Sequence, residues 1–526
     1  MSIKLKTFLK KYAVFIMVVL LITAIITITI LVTNYNAKYN YYEIVETKYD
    51  KPEDSFSNVF ATTNNGYPTT GESVESLQSA EPSYRQLEYM GLDDELEYFA
   101  LFNFGMSTFS RDHTSTGKED PSSFNPPKIE ILKWFETLVA ADVNVAVLNV
   151  KSDDGFCLWP TKTTTHSIEY SSYRGGKEDL IQSFKSAAED NSMKVGLYYS
   201  LYDKNASTYG TDDYNDFVVA QLSEITDRDV YKGTDGLSYI FIDDTYGPNV
   251  SDSFEYDYER YIEVLRTGQQ MKLAISFRNY KADVDVLGYD IDALSENIWS
   301  VVDKDNPDHN NSSRDDLANA TELAYIAPQL IVNLRSKDYY DPYDKPKSLD
   351  LLKQLYFKSV GYNTSFMLVL YPNDSGDLAS DDVQRLEELG EAIKRSKSAS
   401  VSPTKMRVLL SDHSPEIPDM ISLTTETDSN FLFPDTVSIL EFEFTLKTQF
   451  GRIDIRENLT NKAPLVEAYE IWVYNDGWKL VADRGNIGNR SIVMLKNAPK
   501  TFKVRLVIKQ SRGVPDLRTV IFYEKK

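Results

Sequence analysis

The chain has 526 residues, too many for one ordinary domain and enough for a barrel of about 250–300 residues with further units around it. Its 79 Asp and Glu against 56 Lys and Arg leave a formal charge of −23, which argues against nucleic acid and anionic lipid as partners, while 35 Tyr suit a neutral ligand such as carbohydrate. The one cysteine, Cys157, excludes an intrachain disulfide and a Cys-cluster metal site, and its apolar neighbours Phe156 and Leu158 mark it as core filler.

Residues 1–12 form a short basic tail with Lys4, Lys6, Lys10 and Lys11. The following run AVFIMVVLLITAIITITILVT (13–33) holds 21 residues without a charge. At about 1.5 Å per helical residue that length spans a hydrocarbon core of about 30 Å. The expectation is a single transmembrane signal anchor with the tail in the cytoplasm and the rest extracytoplasmic, at the cell envelope or surface. A cleaved signal peptide is the alternative, but NYNAKYNYY is a poor cleavage context. Residues 34–85 are polar, without sustained period, and read as a stalk.

Over 86–398 short β-rich runs alternate with amphipathic stretches. EYFALFNFG, VNVAVLNV, KVGLYYS, LSYIFID, KLAISF, YIAPQLIVNL and SFMLVLY are the strands, and KIEILKWFETLVAAD, KEDLIQSFKSAAEDN, YNDFVVAQLSEITDRD and EELGEAIKRSKS are helical. Apolar strands joined by helices mean a parallel sheet covered on both faces. About eight such units point to an α/β fold of the (β/α)₈, TIM-barrel type. From 403 to 526 the helical signal stops. SILEFEFTL, GRIDIREN, VEAYEIWVY, GWKLVAD, SIVMLK, FKVRLVIK and RTVIFYE alternate between turns, so an all-β C-terminal sandwich is expected after the barrel.

Barrel enzymes keep their chemistry at the C-terminal ends of the strands. The first strand runs into Asn103, the second into Lys151, Ser152, Asp153 and Asp154, and the third into Tyr198, Tyr199 and Ser200. The fourth delivers Asp243 and Asp244, and the segment after the fifth carries Asp283, Asp285, Asp290, Glu296 and Trp299. The four histidines (113, 166, 309 and 413) are scattered, so neither a metal centre nor a cofactor is called for. Paired carboxylates with aromatic faces are what a retaining glycosidase needs, one as nucleophile and one as acid/base about 5–5.5 Å away. An Asp at a strand end also serves as a turn or cap residue, and Trp159 and Trp299 also suit a packed core, so periodicity alone stops at an acidic barrel and sandwich with sugars as a candidate ligand.

The motifs go further. FNFGMSTFS with GKEDPSSFNPPK, then KSDDGFCLWPTKTTTHS, RGGKEDL, KVGLYYSLYD and YIFIDD resemble, in order and spacing, glycoside hydrolase family 29, the α-L-fucosidases, and within it the branch that prefers α-1,3/1,4-linked fucose. ADVDVLGYDIDALSENIWS and the C-terminal RIDIRENLTNKAPLVEAYEIWVYNDGWKLVADRGNIGNRSI are similar to the same family. The resemblance implies an O-glycosidase with Asp243 as nucleophile and Asp290 as acid/base, Glu296 being the fallback. It also implies that three histidines of the family's sugar pocket are replaced here by Asn103, Ser152 and Asp153, with Trp159, Tyr198 and Trp299 among the substrate-binding residues, and that an arginine near the aspartate pair gives way to Asp285. Asp153 and Asp285 are then expected to crowd Asp243 and Asp290 with negative charge. Three readings follow: an active fucosidase, a glycosidase of changed sugar specificity, and a carbohydrate-binding envelope protein without turnover.

Overall fold

The computed structural model describes Leu96 and residues 98–525 except 97, 111–114, 233–235, 249, 251–253, 269–271, 276–281, 314–315, 321–322, 399, 410–414, 417–420, 425–430, 434–438 and 460–463. The expected anchor (13–33) and stalk (34–85) lie outside the described residues. Among the described residues no helix is long and apolar enough to cross a membrane.

In chain order the strands are β1 (Tyr98–Phe102), β2 (Val145–Lys151), β3 (Lys194–Ser200), β4 (Tyr239–Asp243), β5 (Lys272–Ile275), β6 (Val284–Gly288), β7 (Val301–Asp303), β8 (Leu323–Tyr325), β9 (Ala327–Asn333) and β10 (Ser365–Leu370). Eight of them close a barrel in the order β1-β10-β9-β6-β5-β4-β3-β2, every neighbouring pair parallel. The remaining two, β7 and β8, form an antiparallel ribbon on the long excursion between β6 and β9. Period-two alternation makes this possible. Phe99, Leu101, Val145, Val147, Phe241 and Met367 fill the barrel, while the residues between them, such as Ala100, Phe102, Ala146 and Leu148, pack with the outer helices.

Those helices are α1 (Ile131–Ala140), α2 (Leu180–Asp190), α3 (Asp212–Asp227), α4 (Tyr258–Gly268), α5 (Leu349–Val360) and α6 (Ser380–Lys397). Side-chain oxygens of Asp179 and Ser348 cap α2 and α5, accepting from the amides of Gln182 and Leu351. The barrel departs from a regular eightfold repeat between β5 and β6, which are separated by residues 276–283 alone. The sixth strand, VDVLG, was not among the strands read from the sequence, which left Asp285 in the segment after the fifth. Its register turns Val284 into the barrel and Asp285 outward, while Asp283 precedes the strand at the opposite end and pairs with Arg266 at 3.1 Å.

Beyond the barrel, the strands β11 (Lys405–Leu409), β12 (Pro415–Glu416), β13 (Phe431–Leu432), β14 (Ile439–Thr448), β15 (Phe450–Glu457), β16 (Val466–Tyr474), β17 (Trp478–Arg484), β18 (Ser491–Met494), β19 (Thr501–Ser511) and β20 (Asp516–Glu524) make two sheets. Their orders are β12-β11-β14-β19-β16-β17 and β13-β20-β15-β18. Leu440, Phe442, Ile453, Ile455, Ile471, Val504, Leu506, Val520 and Phe522 meet between them, which is the core of a sandwich. The sandwich grips the β6–β9 excursion: Asn486 Nδ2 donates to the Ile298 carbonyl at 2.7 Å, and the Arg512 guanidinium lies 4.1 Å over the Trp299 ring.

Candidate active site

The second strand ends on an unusual support. Lys151 is fully buried and paired with buried Asp203 at 3.1 Å, so the turn at 152–155 is built over an ion pair inside the wall. Gly155 sits at φ +79°, and a Cβ there would fall 2.1 Å from Asp203 Oδ1, so only glycine fits. Asp154 is buried behind the same turn, accepting from Ser115 Oγ at 2.5 Å and from the Phe156 amide at 2.8 Å. Burial raises its carboxyl to about 6.

The turn lifts Ser152 to the barrel mouth. There Asn149, the last inward residue of β2, donates its amide to Asn103 Oδ1 and to Ser152 Oγ, each at 2.8 Å. Across the mouth, Tyr198 donates its hydroxyl to Asp243 Oδ2 at 2.8 Å, and Thr245 donates its amide at 3.1 Å and its hydroxyl at 2.6 Å to Oδ1. Three donors thus fix the orientation of a half-buried carboxylate at the end of β4. Burial, then the Asp243 charge, lifts the Tyr198 hydroxyl well above its ordinary pKa, so it stays a donor. Thr245 is held in turn: the Tyr256 hydroxyl donates to its carbonyl at 3.3 Å, and Tyr256 and Tyr209 share a hydrogen bond of 3.0 Å.

Asp290 follows β6 in an exposed position, its side chain accepting from the Ile291 amide at 2.6 Å and capping a short 3₁₀ turn. Lys347 lies near it. Its ammonium donates to the carbonyls of Asn333 and Arg335 at 2.6 and 2.8 Å. Burial lowers its pKa against the opposing pull of Asp290.

Asn103, Ser152, Tyr198, Asp243 and Asp290 therefore all stand at the C-terminal end of the barrel, while the other expected site residues do not line its interior. Trp159 is fully buried with its indole N–H given to Glu224 at 3.0 Å, and Trp299 is buried against Arg512, so neither offers a free ring face to a sugar. Glu296 is engaged at the sandwich by Arg484 at 3.5 Å and by the Tyr362 hydroxyl at 3.3 Å. Of the two carboxylates expected to crowd the site, Asp153 is paired with Lys204 at 2.6 Å, and Asp285 lies 3.1 Å from Nε2 of buried His309. The sequence reading missed Asn149, Tyr371 and Asn333, whose hydroxyl–amide contact of 2.9 Å extends the polar rim. The available signal for Asn149 was a lone amide at an inward position between the apolar residues of β2. Among the described residues no group of three or more His, Cys, Asp or Glu is placed to hold a metal ion.

A parallel barrel carrying an anchored carboxylate, amides and tyrosyl hydroxyls around one mouth, with a sandwich buttressing one of its loops, is the architecture of a glycoside hydrolase. The sequence model of the alpha-L-fucosidase family matches residues 84–397. The chain belongs to that family, glycoside hydrolase family 29. Alpha-L-fucosidase 1 of Arabidopsis thaliana is 25% identical over 461 residues, covering 85% of this chain and 88% of that protein. The crystal structure of SpGH29 superposes with a TM-score of 0.73 at 25% identity, over 84% of this chain and 98% of that one. A Ruminococcus gnavus GH29 fucosidase in complex with fucose shares the fold, with a TM-score of 0.71 at 20% identity over 85% of this chain and 94% of its own.

Proposed function

We propose that the chain is a retaining α-L-fucosidase-like hydrolase of extracytoplasmic glycans, with Asp243 as nucleophile and Asp290 as acid/base. The observation that carries this reading is the Asp243 carboxylate, held by Tyr198 and Thr245 at the end of a barrel strand with its aim fixed before substrate arrives. In the first step Asp243 attacks the anomeric carbon and the bond to the leaving oxygen breaks as Asp290 gives that oxygen its proton. In the second, water deprotonated by Asp290 displaces Asp243 and the anomeric configuration is restored. Glu296, engaged by Arg484, is the less suited acid. The 13–33 run supports an extracytoplasmic setting, tested by whether the full chain partitions into detergent.

The test of activity is hydrolysis of an aryl α-L-fucoside with the anomer of the product followed by NMR. Retention is expected, with Asp243→Asn lowering kcat by about 10³-fold or more. Inversion, or unchanged turnover in Asp243→Asn, contradicts the assignment. One observation favours a second reading, sugar binding without turnover: Asp290 spends an oxygen capping Ile291. That reading predicts fucose binding without hydrolysis of any aryl glycoside.

A further inference from the structure

The barrel mouth carries more than its carboxylates: side-chain amides and hydroxyls form a belt over four neighbouring strand ends, with hydrogen bonds joining β2 to β1 and β10 to β9. It starts at Asn149, which gives its amide protons to Asn103 Oδ1 and Ser152 Oγ. Asn103 adjoins the Tyr371 hydroxyl just beyond β10 and opposes the upward pull of burial on it. Tyr371, nearly fully buried, passes its own proton to Asn333 Oδ1 at 2.9 Å. Asn149 leaves Asn103 Oδ1 and Ser152 Oγ the acceptor role, and Tyr371 leaves the same role to Asn333 Oδ1, so these links share a direction.

We infer that Asn149 is a positioning residue that sets this direction, so that the belt turns donors toward the ligand and reads sugar hydroxyls through their lone pairs. Ser152 accepts from Asn149 and so has its own proton to give. Asn103 and Asn333 accept through Oδ1 and keep their amide protons for the ligand. Asn149 itself is only 6% exposed, and its Oδ1 has no partner and is closed to solvent, so it works through its neighbours. On the facing strands the polarity is opposite, because Tyr198 spends its proton on Asp243 and leaves carboxylate lone pairs. The mouth is thereby divided into a donor arc and an acceptor arc, which orients a polyhydroxylated ring in one way. This inference rests on the reading that such a sugar occupies the mouth.

The experiment compares an aryl α-L-fucoside with its monodeoxy and monodeoxyfluoro analogues on wild type, Asn149→Leu and Ser152→Ala. Fluorine keeps an acceptor and removes the donor. In wild type at least one hydroxyl should be replaceable by fluorine at a cost in kcat/KM under about 3-fold, whereas replacement by hydrogen costs about 10-fold or more. Asn149→Leu should erase that difference, and adding Ser152→Ala to it should cost little further. Fluorine as costly as hydrogen at every position, or a uniform loss in Asn149→Leu across all analogues, overturns the inference. If no fucoside is hydrolysed or bound, the proposed function fails separately. The belt is then judged from the side-chain amide protons of Asn149 by NMR: slow exchange with solvent supports it, and exchange at the rate of a free amide overturns it.

Discussion

Replacing Lys151 by methionine should destabilise the barrel more than any surface change, because it strands a buried carboxylate. Lys151 Nζ lies 3.1 Å from Asp203 and also donates to the Tyr199 hydroxyl and the Ser200 carbonyl at 3.2 Å and to the Tyr214 hydroxyl at 3.4 Å. Both side chains of the pair are within 2% of complete burial. Removing one partner of a buried pair typically costs about 3–5 kcal/mol. Asp203 keeps two backbone donors, Asn205 and Ala206 at 2.9 Å, which places Lys151→Met near the lower end, about 3 kcal/mol. At about 2–4 °C per kcal/mol, the melting temperature by calorimetry should fall by about 6–12 °C. Asp203→Asn should cost a similar amount by leaving the ammonium unpaired. The double variant should then lose clearly less than the sum of the two. Additive losses would refute the claim that the two charges are each other's principal partner.

Gly155→Ala should cost at least as much in melting temperature, since it adds a left-handed penalty of about 1–2 kcal/mol to a collision with Asp203; a stable variant with unchanged fold would contradict the stated geometry. The raised carboxyl of Asp154, about 6 against an ordinary 3.8, gives a pH test. A raised folded-state value means stability present below about pH 4 and lost as pH rises through about 6, worth about 3 kcal/mol in full. Asp154→Asn should therefore gain on wild type between pH 4 and 7 in a series of thermal melts, and a pH-independent difference would sink the assignment. Arg512→Ala removes the cation over Trp299 and the 3.0 Å contact to buried Glu467. Proteolysis within 289–326 should quicken in that variant, and unchanged cleavage would show that the sandwich does not hold the excursion.

The barrel was legible because strands buried on both faces have to be apolar, as AVLNV and YIFID are. VDVLG escaped notice because its inward positions are only Val284 and Val286 and its outward Asp285 lies beside His309, 24 positions along the chain. The partner of Asp153 was hidden for the same reason: nothing near it in sequence announces Lys204. Asn103, Ser152, Tyr198 and Asp243 could be found from strand exits alone, since parallel strands deliver their last inward side chains to one mouth. Trp159 could not be judged that way. Its location in the wall follows from the bridge that Cys157 makes to Lys151 and Ser167, which folds the segment back under the mouth, and from Glu224 on α3.

The account's central claim is that Asp243 is the nucleophile, and covalent trapping tests it most directly. With 2-deoxy-2-fluoro-L-fucosyl fluoride, the 2-fluorine slows both steps by opposing charge at the anomeric carbon, while the fluoride leaving group speeds the first, so a glycosyl-enzyme accumulates. Peptide mass spectrometry should find one fluorofucosyl group on the peptide bearing Asp243, and no adduct in Asp243→Asn. A label on Asp290, Glu296 or any other carboxylate, or hydrolysis with inversion and no adduct, would contradict the account.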